Sequence, residues 1–433
     1  MPRHPDHRRI TLAAVLLVAV TLIGAATASA EGTGPVTAWA RRNAIPLATV
    51  DPAAPLDDVS ALAPSIGDAQ IVGLGEALHG ASELLTLKHR TLRFLVEELG
   101  FRTIAWEEDW TTGLEIDQYI RTGEGDLDAI VREMTPQWPT QEVENVLRWL
   151  RDYNAGRADQ VRFFGVEYYF TRRLAYDALD AYVAALAPER LPELREHLDA
   201  IRPFTDDKFE YVQWYMAVGD KEPYIGHARA VLDLVEDVAR ADTEGQIAVH
   251  HARQIVSFYE HYDLSPDDAN VFREERAAEN VRWWQELTNH RVVYWAASPH
   301  TANAPELRIV QSEGQELRFP SAGSHLRAWY GEAYLSIGFT FDHGTVSLGP
   351  GATAAMPPPD PAWFEHPLGR VRFAQFALDL RERASRPVQR WLHGPITTRG
   401  LADSPDGFMT GGSLAQWFDV IVHRQEVSPA VPL

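Results

Sequence analysis

The stretch Gln70-Ile71-Val72-Gly73-Leu74-Gly75-Glu76-Ala77-Leu78-His79-Gly80 decides the fold. Gln70 to Leu74 is a short, mainly apolar run that ends at Gly75 and is followed by ionisable residues. Runs this short with little polar alternation suit strands buried on both faces of a parallel sheet. A helix-period stretch follows from Ala81 to Leu99, and the pattern returns at Thr103 to Trp106, Val161 to Val166 and Val292 to Ala296. Tyr334 to Phe341 and Phe418 to Val422 read as later strands.

Between about 171 and 290, Leu, Ala, Glu and Arg dominate, with Pro203 and Pro223 as breaks, which predicts several amphipathic helices. The expected fold is therefore α/β: a mainly parallel central sheet flanked by helices, with a helical insertion forming one wall of the cleft. The expected organisation is a signal peptide over 1–30, an N-terminal lead over 31–67, the first part of an α/β catalytic domain over 68–170, the helical insertion over 171–290, and the remainder of the α/β domain over 291–433.

Each of the four best strand candidates ends at or near an ionisable side chain: Glu76 and His79, Glu107 and Glu108, Glu167, and His300. Ligands of open parallel sheets sit beyond the carboxyl ends of the strands, where loops converge on a rigid scaffold. Lys88 is a second pointer, because it falls in register with Leu84, Leu92, Leu95 and Leu99 on the face expected to be buried. A buried ammonium is costly without a carboxylate, and Glu76 or Glu107 at the neighbouring strand ends can supply one.

The chain has 433 residues, 61 of them acidic and 40 basic, for a formal charge of −21. That balance repels phosphate backbones and anionic lipid, so no nucleic-acid partner is expected. There is no cysteine, which removes disulfides, thiolate nucleophiles and Cys-ligated metals together. Arg3, Arg8 and Arg9, the apolar stretch Leu12 to Ile23 and Ala28-Ser29-Ala30 predict a secretory signal cleaved after Ala30, a secreted mature protein, and no stable membrane association after cleavage.

Gly75 to Gly80, with Ser82-Glu83, Lys88-His89-Arg90, Gly100-Phe101 and Ala105-Trp106-Glu107, resembles the erythromycin esterase family. The resemblance continues through Trp138-Pro139-Thr140-Gln141-Glu142, Phe164-Gly165-Val166, Arg273, Ala278-Glu279-Asn280, Trp295-Ala296 with His300, and Tyr334 to Gly344. It implies hydrolysis of an ester or macrolide lactone, with water as nucleophile and no covalent intermediate. It also implies that His79 is the general base, that Glu76 and Glu107 orient base and water, that Lys88 faces the ester oxygen, that Arg273 lines the cleft, and that His300 is the second of two late histidines. Ala297 stands where the family carries the first of those histidines, Leu78 where it has a threonine, and Glu167 where an aspartate is common. These departures imply a shifted substrate or reduced activity.

Ester hydrolysis by water needs a base, a group that fixes its tautomer, and a donor where charge develops on the carbonyl oxygen. His79, Glu76 with Glu107, and Lys88 with Arg273 or His300 are the expected carriers. Arg273, Trp138 and Glu167 are the expected substrate contacts, Trp138 because it sits in a proline-flanked loop. No cofactor or metal is expected, and the partner is a small ester or lactone. Two rival readings are an exported binding protein or pseudoenzyme of the same fold, and a metal-dependent hydrolase built on His79, Glu76, Glu107 and His300. Ser413, Asp419 and His423 are triad types, but they lie too close together in sequence for a strand-elbow triad.

Overall fold

The computed structural model describes residues 34–311, 315–400 and 407–433. The expected signal peptide lies outside the described residues. The strands are β1 (Ile45–Pro46), β2 (Ile71–Glu76), β3 (Thr103–Asp109), β4 (Arg162–Glu167), β5 (Val292–Ala297), β6 (Leu307–Val310), β7 (Glu316–Phe319), β8 (Tyr334–Ser347), β9 (Thr353–Met356), β10 (Gln375–Asp379), β11 (Pro395–Arg399), β12 (Phe408–Ser413) and β13 (Val420–Val427). The main sheet runs β1-β10-β13-β8-β2-β5-β3-β4, with β9 attached to β8. From β13 to β4 every neighbouring pair is parallel. β10 is antiparallel to β13 and β9 to β8.

All six residues of β2 are buried, as are all seven of β3 and all six of β5, because helices cover both faces. Val72, Leu74, Ile104 and Trp106 pack with Leu84, Leu92 and Leu95 of helix Ser82–Glu97 and with Leu147 and Leu150 of helix Gln141–Asn154. Ile71, Ala105, Phe164 and Tyr294 meet Ala277, Ala278 and Val281 of helix Pro266–Thr288 on the opposite face. A fully buried aliphatic side chain is worth about 1.5–3 kcal/mol, so these two layers hold the sheet ends in place.

The strands run further than their apolar runs, and the extra residues are acids: β2 reaches Glu76 and β3 takes in Glu107, Glu108 and Asp109. Each of these acids has buried partners, Asp109 accepting from Thr111 and from the Phe170 N–H and the others as described below, which is what lets a charge-bearing residue continue a buried strand. β5 enters between β2 and β3, with Glu76 opposite Ala297 in register.

Residues 173–288 form six helices, from Arg173–Leu186 to Pro266–Thr288. The first five have an apolar core of their own around Tyr176, Leu198, Val231 and Phe258. A second antiparallel sheet, β11-β12-β6-β7, was not foreseen from sequence, and neither were β1, β9 and β10. Among the described residues no helix is long and apolar enough to cross a membrane.

Candidate active site

Glu76 closes β2, and its carboxylate is wholly buried. Oε1 lies 2.8 Å from His79 Nδ1, and Oε2 accepts from the ammonium of Lys88. Lys88 also donates to the Ala296 carbonyl at 3.2 Å and sits 4.1 Å from the Trp295 ring centroid. Burial alone would raise the Glu76 pKa, but Lys88 and His79 more than offset it, so the group is held below its ordinary value. Burial pulls Lys88 down to about 8, with Glu76 opposing. Lys88 has no exposed surface. It therefore braces Glu76 and cannot reach an ester oxygen, which corrects the role expected from the resemblance.

His79 is the exposed member of this chain of contacts, with 22% of its side chain open to solvent. Its ring meets the edge of Trp138 at 4.7 Å between centroids. Trp138 is fully buried and donates its indole N–H to the Glu107 carbonyl at 2.7 Å. The loop residue expected to contact substrate is thus a wedge between the base and β3. Its flat ring fills the space behind His79, and only the flanking residues reach the surface of the cleft.

Glu107 is not a direct partner of His79. Oε1 lies 3.1 Å from Arg273 Nη2 and 3.3 Å from His300 Nε2, and Oε2 accepts the Ala297 backbone N–H at 2.9 Å. His300 Nδ1 lies 2.7 Å from Glu274, so both ring nitrogens are committed to carboxylates. Burial opposes protonation of His300, but Glu274 and Glu107 prevail and its pKa is raised to about 10. Burial likewise opposes ionisation of Glu107, and His300 foremost holds it well below the usual range. Glu167 accepts two hydrogen bonds from Arg273, at 3.1 and 2.8 Å, and burial still raises its pKa.

Arg273, Glu274, Glu107, Glu167 and His300 therefore make a buried ionic network at the ends of β3, β4 and β5. His300 commits both ring nitrogens inside it, and Arg273 commits Nε and Nη2 to Glu167 and Glu107, with Nη1 3.9 Å from Glu274.

A cavity of about 630 Å³ opens in front of His79. Gly80, residues 136–137 and 139–140, the turn 347–350, and residues 430 and 432–433 line it. Arg273, Trp138 and Glu167 do not. The helical segment 171–290 contributes Arg273 and Glu274 to the network, and no part of the wall. Glu108 lies deeper, accepting from Thr135 N–H and Oγ1, and burial raises it to about 7.

Glu274 escaped the sequence reading, although a signal existed: it falls in phase with Ala277, Ala278 and Val281 on the buried face of its helix. Among the described residues no three His, Asp or Glu side chains are placed to hold one metal ion. Ser413 caps a helix, Asp419 pairs with Arg327, and His423 is buried beside Phe376, so the triad types do not meet. His250 and His251 are both buried. His250 stacks on Trp283, and His251 accepts from Trp110.

Residues 96–427 match the model of the erythromycin esterase family. The chain belongs to the erythromycin esterase family. The matched segment holds Glu107, Arg273, Glu274 and His300, while the Gly75 to His79 stretch precedes it. A 129-residue stretch is 34% identical to erythromycin esterase type II of Escherichia coli, which is 30% of this chain and 30% of that protein. The alignment thus spans about a third of that relative. Putative hydrolase YbfO of Bacillus subtilis is 19% identical over 91% of both chains.

Among solved structures, a Bacillus cereus protein superposes with TM-score 0.82 at 29% identity, over 93% of this chain and 99% of that one. The erythromycin esterase EreC, as a histidine-to-asparagine variant in its open conformation, shares the fold: TM-score 0.68, 17% identity, 88% of this chain and 97% of that one. The family and these curated relatives carry hydrolase names. The fold of this family member is mixed α/β, a central sheet flanked by helices.

Proposed function

We propose that this erythromycin esterase family member hydrolyses an ester or lactone by direct attack of water, with His79 as general base and no covalent intermediate. The observation that carries the reading is the line Lys88–Glu76–His79, which runs from a fully buried ammonium to a half-buried imidazole facing an open cavity. Glu76 accepts at Nδ1, which fixes the neutral tautomer with its lone pair on Nε2, the nitrogen left to take a proton from water. Lys88 keeps Glu76 ionised at neutral pH and so maintains that orientation. Glu76 and Lys88 are positioning residues.

The buried network around Glu107 holds the ends of β3, β4 and β5 in register beneath the site. Gln137 lines the cavity, and its amide is the donor assigned to the carbonyl oxygen. Residues 1–30 are proposed to be an export signal, and N-terminal sequencing of the mature protein checks that.

The deciding experiment compares wild type and His79→Ala on a chromogenic acetate ester and on a macrolide. Loss of turnover with an unchanged fold supports the base, and activity that survives the substitution removes His79 from the mechanism. Ala297 in place of the family histidine favours one alternative, a binding protein with little turnover. Tight binding of the macrolide without cleavage by wild type would establish that reading instead.

A further inference from the structure

Among the described residues, His79 carries the only ionisable side chain lining the cavity. One wall is the tip of the β8–β9 hairpin, where Leu348 is 43% exposed and Pro350 lies beside it. The facing wall is the segment 428–433, which presents Ala430 and Pro432. The nearby acids are engaged elsewhere: Glu142 accepts from Ser82 and from the Val431 N–H, and Glu83 accepts twice from Ser428.

Both walls are anchored to one atom. The Gly80 carbonyl accepts the Ser347 N–H and the Ala430 N–H, each at 2.9 Å, one residue beyond the base. Gln141 N–H to the Val431 carbonyl at 2.9 Å and Leu433 N–H to the Pro139 carbonyl at 3.1 Å fix the far end. The distance from His79 to either wall is therefore built into the backbone. A volume of about 630 Å³ suits a whole small molecule.

We infer that the site takes an uncharged ester or lactone, whose apolar body lies between the hairpin tip at Leu348 and the segment 428–433 while His79 faces the scissile carbonyl. This rests on His79 being the base. A charged tail entering this space would lose its hydration and, among the described residues lining it, find no Lys, Arg, Asp or Glu side chain to pair with. An apolar tail gains with each carbon covered, and specificity is set by Leu348, Pro350 and Pro432, not by the ionic network.

The test measures kcat/KM for p-nitrophenyl acetate, butyrate, hexanoate and octanoate, together with chains ending in a carboxylate or a trimethylammonium group. Each added methylene should raise kcat/KM by about fourfold until the cavity is full, which corresponds to about 0.8 kcal/mol per buried methylene. Both charged tails should fall at least about tenfold below the neutral chain of equal length, and Leu348→Asp should flatten the rise of kcat/KM with chain length.

Calorimetric titration with 2-butanone, 2-hexanone and 2-octanone reads the same preference without turnover. A flat series in both measurements, or a preference for either charged tail, overturns the inference, while the hydrolase reading stands if acetate cleavage still needs His79. Ketone affinity that climbs with length in a protein that cleaves no ester supports the apolar cavity and refutes the hydrolase reading.

Discussion

His79 Nδ1 lies 2.8 Å from Glu76 Oε1, three residues apart across the turn that leaves β2. The imidazole is thereby attached to the most rigid layer of the molecule while its other nitrogen is left to the cavity. Replacing His79 by Ala should lower kcat/KM by about 10²–10⁴. The ring is partly exposed, so urea unfolding should shift little. Steady-state kinetics and a denaturation curve check both halves.

Glu76 and Lys88 make the opposite kind of pair, fully buried and mutually dependent. Glu76→Gln or Lys88→Met alone strands a charge in the interior and should cost about 3–5 kcal/mol. The double variant removes both charges and should recover much of that loss. Its activity should stay low, because His79 has lost its carboxylate. A double-mutant cycle in urea, run alongside ester kinetics, separates the two effects.

His300 governs a pH effect on stability. Its folded pKa is raised from 6.5 to about 10, so the folded state holds a proton that the unfolded state releases. The contribution is complete below pH 6.5 and is lost as pH rises toward 10. Glu108 acts mainly below about 7, and Lys88 opposes only above about 8. Unfolding free energy should therefore fall by about 1 kcal/mol between pH 7 and 8. His300→Gln should abolish that slope, although the variant is less stable throughout.

Gln137 is assigned the developing negative charge. Gln137→Leu should reduce kcat by about 10²–10³, with KM little changed. A parallel fall in binding of a ketone probe would instead mark Gln137 as a ground-state contact.

Gly80 tolerates no side chain. A Cβ built there would lie 1.9 Å from the Ser347 carbonyl oxygen, a backbone atom that cannot step aside. Gly80→Ala should push the hairpin away, lower the melting temperature and depress activity more than it depresses stability. Thermal unfolding and kinetics on the same preparation check the prediction.

The strands that carry the site were legible because burial on both faces leaves an unbroken apolar run in the sequence, as in Ile71 to Leu74 and Val292 to Ala296. Lys88 was legible because a charge in phase with leucines contradicts its surroundings. The same contradiction exists at Glu274, but its neighbours Arg273 and Glu275 are charged as well and mask it. The second sheet was missed because its strands are short and half polar: Leu307–Val310 alternates buried and exposed positions over four residues. Trp138 was placed in the wrong layer because a proline-flanked loop predicts exposure of the backbone and says nothing of where the ring turns. The split of the acids into two separate groups was invisible, since sequence order cannot show that β5 divides β2 from β3.

That intervening strand has a further consequence. Residues 292–297 must enter a slot whose sides, β2 and β3, are made some two hundred residues earlier in synthesis. Until then both sides present bare peptide groups, and Glu107 waits without His300. Such distant pairing makes for slow maturation and a nascent chain prone to wrong edge-to-edge association. The sheet that carries the site can close only once the last third of the chain is available.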